Sequence, residues 1–162
     1  MEWEQRLAAL WASINDYSEE VFLARMEQLV GELPADSAVA LFERAGAWDS
    51  TGHSDRAVPL YRQALERGLD PHRRRQAVIQ LSSSLRNLGQ AAKSVALLTA
   101  ERAAGSDELD DAVDAFLALA LADTGRERAA VALALTALSR HMTRYRRSLS
   151  NYAQLLAEES AD

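Results

Sequence analysis

LFERAGAWDSTGHSDRAVPLYRQALERG, residues 41–68, reads as two helix-period segments on either side of one glycine, Gly52. Ala45 lies seven residues before that glycine, Trp48 four before it and Ala57 five after it. The same setting returns around Gly89, with Ser82, Leu85 and Ser94, and around Gly125, with Ala118, Leu121 and Ala130. The glycines are 37 and 36 residues apart. A period of that length marks stacked supersecondary units, because one unit alone cannot bury its apolar face. Two antiparallel helices approach closely only where one presents a small side chain opposite a large one on its neighbour. The glycine between them permits the positive-φ turn that reverses the chain in few residues.

Outward from this stretch, helical spacing continues in both directions with no alternating strand. Toward the N-terminus, a helix is expected over about 2–15, with Trp3, Leu7, Leu10, Trp11 and Ile14 on one stripe. Ser18 caps a second helix, with Glu19 and Glu20 in its first turn and Val21, Phe22, Met26, Leu29, Val30 and Leu33 facing inward; Pro34 ends it. Asp36 or Ser37 caps a third, carrying Leu41, Phe42, Ala45 and Trp48. After Gly52, Ser54 or Asp55 caps the next, with Pro59 about one turn inside and Gly68 as the stop. Asp70-Pro71 is a cap followed by proline at the first helical position. Val78, Leu81, Leu85 and Leu88 then lead to Gly89, Val95 and Leu98 to Gly105, and Leu117 and Leu121 to Gly125. Leu133, Ala134, Ala137 and Leu138 follow, and a last helix over about 142–158 carries Tyr145, Leu149, Tyr152, Leu155 and Leu156. The expectation is an all-α stack of about nine helices in antiparallel hairpins.

Bulk properties narrow the function. The chain has 162 residues, enough for one domain with a sizeable core. It has no cysteine, which excludes disulfides and thiolate metal sites and fits a reducing cytoplasm. Its net charge of −6 gains little from the counterion release that drives non-specific nucleic-acid binding, so no nucleic-acid partner is expected. The most apolar stretches, Ala115–Ala122 and Ala129–Leu138, fall far short of the ~20 residues that span a bilayer, so no membrane partner is expected either.

The repeat resembles the tetratricopeptide repeat (TPR) family. Leu41, Ala45, Trp48, Gly52, Ala57, Tyr61 and Ala64 carry the likeness in the first unit. Val78, Leu81, Ser82, Leu85, Gly89 and Leu98 carry it in the second, and Leu117, Ala118, Leu121, Gly125, Ala130 and Ala137 in the third. RAVPLYRQALERGLDP, residues 56–71, is the most family-like segment. The resemblance implies a right-handed α-solenoid forming a single domain over 1–162. Its parts are a degenerate hairpin at 1–35, repeats at 36–71, 72–105 and 106–140, and a capping helix over 141–162. The glycine spacing of 37 and 36 residues exceeds the family's usual 34, as in small stand-alone bacterial members. Asp114, Ser94 and Glu101 depart from the apolar signature.

Little points to catalysis. His53, His72 and His141 occur singly without metal-ligand spacing, and no phosphate loop or nucleophile elbow is present. No catalytic residue, metal or cofactor is therefore expected. Two basic clusters, Arg73–Arg75 and Arg144, Arg146 and Arg147, lie at helix starts, where cations oppose the macrodipole. The acidic run at 107–111 would lie between them. The two readings are mutual compensation and an anionic or acidic-peptide docking edge.

The resemblance also implies a concave groove lined by the first helix of each hairpin. Carried onto this chain, the peptide-binding set is Phe42, Asp49, Gln76, Ile79, Ser83, Arg86, Asn87, Leu119 and Asp123. Arg86 and Asn87 would hold a carboxylate or backbone amide, with Phe42, Ile79 and Leu119 taking apolar side chains. Arg86 could instead pair with Asp49 or Asp123. Phe42, Gly46, Ile79 and Ser83 occupy the places where chaperone-tail-binding members carry Lys and Asn, so no chaperone-tail clamp is expected. The leading expectation is a non-catalytic module binding another protein's peptide or helix. The alternatives are a homodimer formed through uncovered Trp3, Leu7, Trp11 and Tyr152, and, more remotely, single-stranded RNA binding of the pentatricopeptide type, suggested by Val58–Pro71.

Overall fold

The structure, a computed structural model, describes residues 2–159. Among these residues there are nine α-helices and no strand. They are α1 (Trp3–Ala12), α2 (Glu19–Val30), α3 (Ala38–Ser50), α4 (Ser54–Arg67) and α5 (Pro71–Asn87), then α6 (Ala91–Ala104), α7 (Asp110–Asp123), α8 (Glu127–His141) and α9 (Arg146–Glu158). The chain divides into two compact units, Met1–Ser84 and Leu85–Asp162, with the division inside α5.

In the first unit α1 packs on α2, α2 on α3 and α3 on α4. Leu7, Phe22, Met26, Leu29, Val30, Ala40 and Ala47 form a buried cluster, against which Trp3, Leu10, Trp11 and Ile14 pack. Burying each of the larger members contributes ~1.5–3 kcal/mol. The Trp3 indole Nε1 donates to the Leu29 carbonyl at 2.9 Å, fixing α1 to the end of α2. In the second unit α6 packs on α7, α7 on α8 and α8 on α9. Leu98, Val113, Leu117, Leu121, Ala130, Ala137 and Ala153 are buried there.

The recurring glycines share one hydrogen-bond pattern. Gly52, Gly89 and Gly125 have φ of 88°, 74° and 75°. The next residue's N–H in each case returns to a carbonyl five residues earlier: His53 to Trp48 at 2.8 Å, Gln90 to Leu85 at 2.9 Å and Arg126 to Leu121 at 3.0 Å. These bonds satisfy carbonyls left without partners at a helix C-terminus, and they need the left-handed residue that glycine supplies without steric cost. The large apolar residue four before each glycine is thus also its turn's acceptor.

Several local expectations are corrected. The first helix stops at Ala12, where the Ser13 hydroxyl bonds the Ala9 and Leu10 carbonyls; a short 3-10 turn, Ile14–Asp16, follows. Ser18, Ser37 and Asp70 do cap their helices, each accepting a backbone N–H. Ser54 is already the first residue of α4, with His53 at the cap position, and the Ser54 hydroxyl donates to Asp49 Oδ1 at 3.3 Å. Val21 is exposed in the first turn of α2, and Leu88 is exposed beyond the end of α5. The last helix begins at Arg146, not 142, since Tyr145 takes a left-handed φ of 64°. That start turns Ala153 inward and leaves Tyr145, Tyr152 and Leu155 exposed.

Asp114 is explained by its charges. It is 2% exposed, yet its carboxylate accepts from Arg102 Nε at 2.8 Å and Arg140 Nη1 at 3.3 Å. A buried carboxylate is tolerated when it is paired and hydrogen-bonded in this way.

Candidate functional site

The inner positions of α1, α3 and α5 border a recess of about 440 Å³ in the first unit. Trp11 comes from α1, Phe42, Glu43, Gly46, Asp49 and Ser50 from α3, Tyr61 from α4, and Gln76 and Gln80 from α5. Phe42, Gly46 and Asp49 lie three or four residues apart, so one stripe of α3 presents them together. Gln76 and Gln80 are likewise one turn apart on α5.

Gly46 is what lets α1 approach. A Cβ at that position would lie 3.2 Å from Trp11 Cζ2 and 3.3 Å from its Cη2. The Trp11 ring also tilts against Phe22, with centroids 5.3 Å apart, and its Nε1 donates to Glu43 Oε2 at 2.8 Å. Glu43 is buried, with Arg73 Nε 4.0 Å from its other oxygen. Burial pushes the Glu43 carboxyl above its ordinary range, while the indole hydrogen bond and Arg73 pull the other way. The Tyr61 hydroxyl donates to Gln80 Oε1 at 2.5 Å. Burial first, then the charges of Asp49 and Glu43, hold that phenol protonated. Asp49 accepts from Ser84 Oγ at 2.7 Å as well as from Ser54. The result is a cleft with aromatic walls and a polar floor held by its own hydrogen bonds.

A family model described as tetratrico peptide repeat matches residues 38–156. The chain belongs to the tetratrico peptide repeat family. No curated protein and no solved structure matches it. Repeats of this family generally mediate protein–protein interactions and are typically non-catalytic.

Within this TPR protein the expected groove residues fall into three groups. Phe42, Asp49 and Gln76 meet at the recess. Ile79 is buried and Ser83 half-buried on α5, outside its lining. Arg86 and Asp123 belong to the second unit and form an ion pair, Nε to Oδ2 at 2.5 Å, one of the two pairings expected for Arg86. Asn87 and Leu119 are exposed in that unit. Trp11, Glu43, Tyr61 and Gln80 were missed as lining. The aromatic pair reads as ordinary core in the sequence, and Trp11 reaches the recess from a separate helix. Gln80 had a usable signal, its position one turn after Gln76.

Two members of the charged clusters have partners within their own unit. Arg73 meets both Glu4 oxygens at 2.7 Å and Asp70 at 3.4 Å, all in its own unit. Asp111, in the acidic run, pairs with Arg140 and with His141 Nε2 at 2.7 Å, not with residues 144–147. His53 contacts Glu19 Oε1 at 2.6 Å, and His72 contacts Gln76 at 3.0 Å. Among the described residues, no group of three or more potential ligands could hold a metal, and no helix is long and apolar enough to cross a membrane. Of the residues expected to stay uncovered, Leu7 is buried and Trp3 and Trp11 are half-buried and hydrogen-bonded; Tyr152 is exposed.

Proposed function

We propose that this TPR protein is a non-catalytic interaction module whose recess between α1, α3 and α5 receives a peptide or helical segment of another protein. The observation that carries the reading is the pairing of aromatic walls, Trp11 and Phe42, with the amides of Gln76 and Gln80. A primary amide can donate and accept, which suits a peptide backbone, while the aromatic rings take an apolar side chain. Arg86 and Asn87, in the other unit, are candidates for a contact of their own, with Arg86 released from Asp123 when a carboxylate replaces it.

Selection of a displayed random-peptide library on the intact chain tests this. An enriched peptide should lose at least tenfold in affinity, or ~1.4 kcal/mol, on Gln76→Ala and on Ser50→Trp, which fills the rim. No enriched peptide, or unchanged affinity for both variants, contradicts it. Arg86→Ala and Asn87→Ala measure whether those two residues take part in binding.

Self-association is a second reading, favoured by the exposed Tyr145, Tyr152 and Leu155 on and beside α9. Light scattering after size exclusion decides it: a monomer at micromolar concentration removes it.

A further inference from the structure

A second recess, of about 410 Å³, lies in the Leu85–Asp162 unit between the last turns of α8 and the first half of α9. Thr136, Ser139 and Arg140 line it from α8, and Arg146, Arg147, Ser150 and Asn151 from α9. The charges there are not balanced. Arg140 is taken up by Asp111 and Asp114. Among the described residues no carboxylate pairs with Arg146 or Arg147, although the chain as a whole carries a net charge of −6. The hydroxyls of Thr136 and Ser139 donate to the Ala132 and Thr136 carbonyls. Ser150 and Asn151 keep a hydroxyl and an amide for a ligand, with no partner among the described residues.

Two guanidinium groups beside one cleft match a dianion, and arginine's planar fork suits the oxygens of a phosphoryl group. The position adds to the demand. Arg146 and Arg147 open α9, where cations oppose the helix dipole, and the start of α9 has no side-chain cap. An anion in the cleft would reverse the repulsion and engage first-turn N–H groups as well as the arginines.

We propose that this cleft binds a phosphoryl group through Arg146, Arg147, Ser150 and Asn151, as a second site separate from the peptide recess. The phosphoryl group could be borne by a small molecule or by a phosphorylated protein segment, and the test separates the two.

The intact chain is titrated with inorganic pyrophosphate, with a peptide carrying one phosphoserine and with its unphosphorylated twin, while backbone and Asn151 side-chain amide NMR signals are followed. Shifts concentrated on residues 146–151 with pyrophosphate support a small phosphate ligand; the same shifts with the phosphopeptide alone support a modified segment. In either case Arg146→Ala with Arg147→Ala should weaken binding at least tenfold, whereas Arg144→Ala, outside the lining, should change it less than threefold. Lysine at both positions should restore part of the affinity. Binding should also weaken as pH falls through ~6, where a phosphomonoester takes up its second proton. No shift at millimolar probe, equal shifts from the unphosphorylated twin, or affinity unmoved in the double alanine variant would overturn the proposal. An unchanged thermal midpoint in the double variant ensures that lost binding is not lost folding.

Discussion

The Trp11 indole nitrogen lies 2.8 Å from Glu43 Oε2, and this bond ties the first helix of the chain to the first helix of the first full repeat. It places an aromatic ring where Gly46 leaves space and closes one side of the recess. The neighbouring carboxylate is nevertheless uncomfortable, because burial raises it. A carboxyl raised in the folded state holds a proton that the unfolded chain releases. Its contribution therefore erodes stability as pH rises through the interval above the ordinary glutamate range. Glu43→Gln keeps an acceptor for Trp11 and removes that titration. We expect the stability of the variant relative to wild type to rise as pH increases above the ordinary glutamate range. Urea unfolding across that interval measures it, and parallel profiles would contradict it.

The turn glycines give a cleaner backbone test. At Gly125 an added Cβ would meet nothing within 4 Å, so any penalty for Gly125→Ala comes from its φ of 75° alone. We expect a loss of ~1–2 kcal/mol by chemical denaturation, with Gly125→Asn losing less because asparagine tolerates that region. Equal stability of the alanine variant would mean that the turn had relaxed into another form.

Asp114 and Asp111 share Arg140 but should behave differently. Asp114 is buried, so Asp114→Ala takes the carboxylate from Arg102 and leaves Arg140 only Asp111, and should cost ~1–3 kcal/mol. Asp111 is held below the ordinary aspartate range, chiefly by Arg140 and then His141. The stability it contributes is present above that range and is lost as pH falls through its lowered titration. Because the pair is substantially exposed, Asp111→Asn should cost under ~1 kcal/mol, and less at high salt. A larger loss at Asp111 than at Asp114 would reverse this assignment.

Gly46 discriminates a packed α1 from a loosely docked one. Alanine there gains ~1 kcal/mol of helix propensity but places its Cβ 3.2 Å from Trp11, so the two effects should nearly cancel. Leucine must displace the ring, and we expect ~1–3 kcal/mol of destabilisation. Full stability of Gly46→Leu would show that Trp11 yields freely and does not define the recess.

Features held by local chemistry were legible in the sequence. The positive-φ glycines, the Ser18, Ser37 and Asp70 caps and the helical stripes all follow from contacts within one turn. The start of α4 was misread by one residue, with His53 at the cap position and the Ser54 hydroxyl donating to Asp49 at the end of α3. At the recess, Phe42, Asp49 and Gln76 were found by their register to the turn glycine. Ile79 shared that register yet is buried and does not line the recess. Trp11 could not be found that way, since its position depends on how α1 returns across α3. The departure at Asp114 was visible, but its two arginines come from α6 and α8, which no single-helix pattern reveals.

The most direct test of a peptide-receiving recess is hydrogen–deuterium exchange of the intact chain with and without a peptide enriched on it. We expect slowed exchange in residues 42–50 and 76–80, the two stretches that face each other across the cleft. Protection that spares both stretches while the peptide remains bound would contradict the recess as the site where a partner is received.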